Sequence, residues 1–220
     1  MIKDFEVRYL SRESYEQEEK FSKDQIVFRL AGADFPERHD MKFPYRKFLD
    51  LYIIYFYVVS LTDESEECFF ITDEIAEDHH LSEDELYRIS FINTFRLFPL
   101  KVRKLRDELN EALGEDTCLE DDANDFVYIS GNTVNAFGAS SILCTDMLEE
   151  MAGKLNSDLF LLPSSVHEFL LLPVNTGFQP HELQEMVYGV NVSMVADEEK
   201  LSDNVYVYRK GKLKIEMAGT

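Results

Sequence analysis

Tryptophan is absent from the 220 residues, and cysteine occurs only three times. Cys68, Cys118 and Cys144 are odd in number and far apart, and none forms a C-x-x-C pair. That excludes a disulfide framework and a cysteine zinc clip. Basic residues are scarce, 22 against 43 acidic ones, which leaves a net charge of −21. Phosphate backbones and anionic membranes repel such a chain, so direct nucleic-acid or membrane binding is disfavoured. The expected partners are a basic protein or a small molecule. Long hydrophobic runs are missing too. The longest, Leu51–Leu61, is interrupted by Ser60 and is far too short to span a bilayer. The opening Met1-Ile-Lys-Asp-Phe-Glu-Val-Arg8 does not read as a signal peptide, so the expected location is cytoplasmic.

What is present is ample apolar material. Hydrophobic residues make up 45% of the chain, with 17 Phe and 11 Tyr. That is enough for a sizeable core. No Pro/Gly/Ser linker interrupts it, so one α+β domain is expected over 25–220, behind an N-terminal arm over 1–24. Strands are predicted at Gln25–Leu30, from Leu51 onward, at Cys68–Ile71 and at Phe126–Ile129. Ser82-Glu-Asp-Glu85 matches a capping box opening a helix to about Phe98, with Leu86, Ile89, Ile92 and Phe95 on one face. Lys101–Leu113 and Ala139–Leu155 read as further helices. Pro180 suits the first turn of a helix to Met194, with Leu183, Met186, Val187, Val190 and Met194 inward. Val205–Tyr208 and Leu213–Met217 read as a hairpin. Adjacent hairpins mixed with long helices predict an antiparallel-rich mixed sheet with helices packed on it.

Residues 157–173 stand at the centre. Two strand-length apolar runs, Leu159–Leu162 and Phe169–Leu172, flank the polar Ser164, Ser165, His167 and Glu168. In an extended stretch Ser165 and His167 point to the same side, the pattern of a nucleophile and its base. No G-x-S-x-G elbow accompanies them, and the plainer expectation is a polar turn between buried strands. Arg29, Asp50, Asn93 and Arg96 are polar residues inside apolar segments. They predict a buried ion-pair network or a pocket lining. His79 and His80 lie among carboxylates, but adjacent helical residues point about 100° apart and do not readily share one ion. No metal or cofactor is therefore expected. The Gly131–Gly138 loop, with Ser140 and Ser141 after it, lacks the Lys-Ser/Thr of a phosphate loop. Residues 63–85 hold 11 carboxylates, and Glu115–Asp125 holds six.

The runs Ile26-Val-Phe-Arg-Leu30, Phe48-Leu-Asp-Leu51, Asn93-Thr-Phe-Arg-Leu97, Leu162-Pro-Ser-Ser-Val-His-Glu168 and Leu201-Ser-Asp-Asn-Val-Tyr-Val-Tyr208 stand in one order. Together they resemble an uncharacterised bacterial domain-of-unknown-function family, distantly similar to the YtpQ-like proteins. The resemblance covers roughly residues 22–209. It implies a bacterial origin and a compact domain, and carries over no catalytic residue. Family members usually have an additional N-terminal segment, most of which this chain is expected to lack.

The functional expectation is a non-enzymatic cytoplasmic binding or protein-interaction module with a strongly acidic surface. One alternative is an acidic nucleic-acid mimic that blocks the groove of a nucleic-acid-binding protein. Another is an unrecognised hydrolase or metal-dependent enzyme at Ser165–His167 or His79–His80.

Overall fold

A computed structural model of the chain describes residues 6–10, 21–35, 42–62, 64–113 and 126–219, without the side chains of Ala112, Leu113 and Ser164. The predicted acidic loop 115–125 and most of the arm over 1–24 lie outside these residues. The fold is α+β, with two mostly antiparallel sheets, and the chain divides into two compact units. One holds residues up to Pro99 together with Thr133–Asn135; the other holds Leu100–Asn132 and Ala136–Thr220.

The N-terminal unit carries a five-stranded sheet. Its strands are β1 (Glu6–Tyr9), β2 (Ile26–Ala31), β3 (Tyr45–Phe48), β4 (Leu51–Leu61) and β5 (Ser65–Phe70). The order is β1-β5-β4-β2, with β3 also paired to β4. The dense β-branched and aromatic run from Leu51 makes β4 the spine, as expected from its sequence. The β1–β5 pair is parallel, so residues 6–9 of the presumed arm belong to the sheet. All six residues of β2 are buried, because both sheet faces are covered. Two helices follow, α1 (Asp73–Asp78) and α2 (Glu83–Leu97).

The capping box of α2 is present: the Ser82 hydroxyl accepts from Glu85 N–H, and the Glu85 carboxylate accepts from Ser82 N–H at 3.1 Å. The face that α2 buries matches the predicted one only in part, since Leu86 is buried and Phe95 packs on Phe28 while polar residues take other inward places. Leu86, Ser90, Asn93 and Thr94 point inward, and Ile92 is exposed. The cause is the edge of the sheet. Among the described residues, edge strand β2 has backbone groups with no strand partner on its outer side, and buried groups of that kind need a bond. Thr94 Oγ1 accepts from Phe28 N–H at 2.9 Å, and Asn93 Nδ2 donates to Lys23 O and Ile26 O. Phe28 then meets Tyr87, Phe91 and Phe95 with ring centroids 5.9–6.4 Å apart.

The C-terminal unit carries a six-stranded sheet in the order β11-β10-β8-β9-β7-β6. Every pairing in it is antiparallel. The strands are β6 (Leu100–Lys104), β7 (Tyr128–Asn132), β8 (Leu159–Ser165), β9 (Glu168–Pro173), β10 (Tyr206–Arg209) and β11 (Lys214–Met217). The helices are α3 (Leu105–Leu113), α4 (Thr145–Leu155) and α5 (Pro180–Ser193). Two sequence readings shift. Residues 100–104 are a strand, since Leu100–Lys104 pair with Tyr128–Asn132, and only from Leu105 is the segment helical. The predicted helix from Ala139 begins as a short 3-10 helix, Gly138–Leu143, before α4 starts at Thr145.

The β8–β9 hairpin is central, as its apolar runs predict. Leu159, Leu161, Phe169, Leu171, Tyr206 and Tyr208 are fully buried on one face. Tyr208 donates its hydroxyl to Glu149 of α4 at 2.7 Å on that side. Phe160, Leu162, Leu172, Val205 and Val207 occupy the other face, with Leu183 and Val187 of α5 packed on them.

Candidate functional site

The polar residues singled out in the sequence divide between the units. Arg29, Asp50, Asn93 and Arg96 belong to the N-terminal one, and Ser164, Ser165, His167 and Glu168 to the other. Ser164 has no described side chain. Asp50 lies in the two-residue turn between β3 and β4, half-buried. Arg96 donates to Asp24 O at 2.5 Å and to Asn93 Oδ1 at 3.3 Å. It joins Asn93 in holding α2 against the entry to β2. Asn93 and Arg96 lie apart from Arg29, because alternate residues of β2 face opposite ways. Arg29 shares its face with Val27 and Ala31, whereas α2 lies over Phe28 on the other face.

Arg29 is itself a buried cation, 3% exposed, and it found the carboxylate that its place in a strand demands. Its Nη2 donates to Glu66 Oε2 at 2.5 Å, Nη1 donates to Cys68 Sγ at 3.8 Å, and its guanidinium lies 4.3 Å over the Phe56 ring. Glu66 is fully buried, and among the described residues its Oε1 has no hydrogen-bond partner. Burial pushes the Glu66 carboxyl up while Arg29 pulls it down. Burial also pushes the Cys68 thiol up to about 11. A thiol of that kind is a poor nucleophile at neutral pH.

The Ser165–His167 pair is built as a turn. Ser165 Oγ accepts from the backbone N–H of His167 at 3.0 Å. His167 Nδ1 accepts from Phe137 N–H at 3.2 Å, and Nε2 lies 3.2 Å from Glu199 Oε1. An imidazole that accepts at Nδ1 carries its proton at Nε2 and donates it to Glu199. Its basic nitrogen is therefore occupied by the backbone, and the serine oxygen faces a backbone donor rather than the ring. The geometry supports a clip, not a nucleophile and base. That clip holds Phe137, a non-glycine residue at φ 53. Gly138 follows because nothing larger fits: a Cβ there would stand 2.7 Å from His167 O and 2.8 Å from Asn132 N. The Gly131–Gly138 loop is thus a close backbone crossing. The Ser130 and Ser141 hydroxyls bond each other at 2.7 Å beneath it.

His79 stacks on Phe21 with centroids 3.7 Å apart, and burial lowers its pKa. His80 takes φ 52 in the turn beyond α1. Among the described residues no group of three or more His, Cys, Asp or Glu is arranged to hold a metal ion. Five of the carboxylates of residues 63–85 have partners within the chain. Glu66 pairs with Arg29, Glu67 with Arg8, Glu83 and Asp84 with Arg46, and Glu85 closes the capping box.

Sequence reasoning missed a pocket in the C-terminal unit. Its volume is about 180 Å³. Leu162 and Pro163 of β8, Leu170 and Leu172 of β9, and Leu105, Phe126, Val127 and Phe178 form its floor and sides. Leu183, Met186, Val187 and Val190 of α5 form the remaining wall. The pocket exists because α5 rests on the sheet along one narrow stripe. Leu183, Val187 and Asn191, spaced four apart, are its buried residues. Asn191 ends the stripe with a polar anchor, donating to Ser202 O at 3.0 Å and Asp203 Oδ1 at 2.8 Å. Met186, Val190 and Met194, predicted inward, are 53%, 41% and 81% exposed. The helical period marked α5 as amphipathic, but it did not show that the apolar arc is wider than the contact.

Two residues before Leu170 on β9, on the same side of the strand, stands Glu168. It shares the Arg103 guanidinium with Glu108: Arg103 Nη2 lies 3.3 Å from Glu168 Oε2, and Nε lies 2.7 Å from Glu108 Oε1. Burial raises the Glu168 pKa, Arg103 lowers it, and Glu108 raises it further.

No helix among the described residues is long and apolar enough to cross a membrane. Neither a curated protein nor a solved structure matches the chain. One family model does, over residues 5–210, and it spans both units. The chain belongs to that family, described as a family of unknown function (DUF5688).

Proposed function

We propose that this chain is a non-enzymatic protein-interaction module, and that the apolar pocket beside α5 is its binding site. The observation that carries the reading is the size and lining of the pocket. Sites for small metabolites and cofactors are on the order of 300–1,000 Å³ and contain a few placed polar groups. This one is about 180 Å³, and every residue that lines it is apolar. A cavity of about 150 Å³ lined by Leu, Ile and Phe holds one benzene. The pocket therefore suits one apolar side chain offered by a partner. The polar groups of Ser165 and His167 are engaged in holding a turn, which leaves the hydrolase alternative without a working pair. The nucleic-acid mimic draws on the net charge of −21. It has weaker support, because four of the carboxylates in residues 63–85 are paired with arginines and a fifth closes the capping box. A cytoplasmic location and a bacterial origin, with distant likeness to the YtpQ-like proteins, belong to the same proposal. The free thiols Cys68 and Cys144 agree with a reducing compartment.

The pocket is tested with indole, a neutral aromatic probe. A ligand that binds only the native state raises the unfolding midpoint. Millimolar indole is expected to raise the Tm of the full chain. Leu170→Trp fills the pocket with its own indole and is expected to abolish the shift. The natural chain has no Trp, so the emission of the variant reports directly whether the new side chain is buried. An equal shift in both proteins, or none in the unsubstituted chain, overturns the reading.

A further inference from the structure

We propose that the occupant of this site is a positively charged amphipathic helix of a partner protein, which seats one apolar side chain in the pocket and lays its apolar face along the exposed side of α5. The proposal rests on the pocket being a binding site and adds what binds there.

The first observation is the shape of the apolar surface. Met186 and Val190 on α5 and Met194, its C-cap residue, recur every four residues beside the buried Leu183–Val187–Asn191 stripe. Met186 and Val190 also line the pocket. The track therefore runs from the pocket along the helix for eight residues, about 12 Å at 1.5 Å per residue. That is the length of just over two turns of a second helix, whose own apolar residues fall at the same spacing. Exposed methionines suit such a surface because they repack around different side chains.

Charge then selects among possible occupants. From Pro180 to Asn204 there are six acidic residues, Glu182, Glu185, Asp197, Glu198, Glu199 and Asp203, against one basic residue, Lys200. Glu182 and Glu185 are exposed on α5 itself, and Asp197 and Glu198 are exposed just beyond it. On the pocket side of β9, Glu168 and Glu108 share the Arg103 guanidinium. A second copy of this chain would bring another −21 to the contact, and an anionic membrane or a nucleic acid would be repelled in the same way. A helix with lysine or arginine beside its apolar face meets both requirements. Its apolar residues cover the track and its cations meet the rim.

The test uses a fluorescein-labelled 14-residue Leu/Lys peptide with helical apolar spacing, titrated with the full chain and read by anisotropy. A Leu/Glu peptide of the same spacing and a Leu/Lys peptide of scrambled order are the controls. The spaced Leu/Lys peptide is expected to bind at least tenfold more tightly than either. Its affinity is expected to fall when NaCl rises from 50 to 300 mM. Val190→Asp is expected to weaken it at least tenfold although it adds a negative charge, and Ile92→Asp, on the exposed face of α2, is expected to leave it unchanged. Both positions are exposed, and circular dichroism checks that each variant folds. Equal losses in the two variants, or equal affinity for the scrambled peptide, would show unspecific charge attraction and overturn the proposal. Self-association that Val190→Asp abolishes would make the occupant a second copy and also overturn it. Stabilisation by indole without binding of the peptide would leave the pocket standing and reject this occupant.

Discussion

At the scale of single residues, the most consequential feature is the Arg29–Glu66 pair. Two opposite charges with side-chain exposures of 4% and 0% must balance each other, since neither reaches water. Removing one partner of a buried pair costs about 3–5 kcal/mol, because the other charge is left uncompensated. Arg29→Ala is therefore expected to lower unfolding stability by about that amount in urea titrations. Arg29→Met with Glu66→Leu is expected to recover most of it, since an apolar pair carries no charge to desolvate and also removes the unsatisfied Oε1. A second expectation concerns Cys68. Its thiol is raised from the ordinary 9.0 to about 11, so between those values the unfolded chain ionises while the folded one stays protonated. The unfolded state then binds fewer protons, and stability falls as pH rises from 9 to 11. Iodoacetamide at pH 8, followed by mass spectrometry, is expected to leave Cys68 unlabelled in the native protein and to label it in urea. The strand sequence made it legible that Arg29 would need a carboxylate. Which carboxylate was not legible, because Glu66 lies 37 residues away and arrives only through the pairing of β4 with both β2 and β5.

At the scale of elements, local chemistry was read well and facing was read poorly. The capping box of α2 and the proline-led start of α5 depend on neighbours within four residues, and both stand where the spacing placed them. Ser82→Ala is expected to cost about 1 kcal/mol, as loss of an N-cap oxygen does. The fold-back at Gly138 gives a sharper contrast. Gly138→Ala places a Cβ against three backbone neighbours that cannot swing aside, and a loss of about 1–3 kcal/mol or more is expected. Gly153→Ala in α4 meets nothing within 4 Å and is expected to raise stability by about 0.5–1 kcal/mol through helix propensity. Thermal unfolding of the two variants decides the matter. Facing was read only in part on α2, where Leu86 and Phe95 meet the core as expected but Asn93 and Thr94 are drawn inward by the edge of β2. It was misread on α5 because Asn191 takes a place in the contact stripe that an apolar residue would ordinarily hold. Hydrophobic period assumes that apolar side chains compete only with one another for the interior. In both helices a buried hydrogen bond won the position instead.

At the scale of the whole molecule, the net charge of −21 sets the conditions. Self-repulsion opposes the compact state, and salt screens it over a Debye length of about 10 Å at 0.1 M. Raising NaCl from 20 to 200 mM is expected to raise the Tm of the full chain, read by scanning calorimetry. An unchanged or lower Tm would mean that the surface ion pairs outweigh the repulsion. The same charge narrows the choice of partners and gives the apolar track of α5 its proposed occupant.

The sequence by itself determined what depends on composition and on near neighbours: an α+β chain with a sizeable core, its strong acidity, the central β8–β9 hairpin with its polar turn, and the caps and starts of the principal helices. These follow because propensity, capping and alternation act within a few residues. Tertiary structure alone decided that the strands form two sheets, that Glu66 answers Arg29, and that Ser165 and His167 secure a backbone crossing. It alone left Met186, Val190 and Met194 uncovered beside a side-chain-sized pocket. Each of these outcomes depends on residues far apart in the chain competing for the same buried space, and no local pattern records which of them prevails.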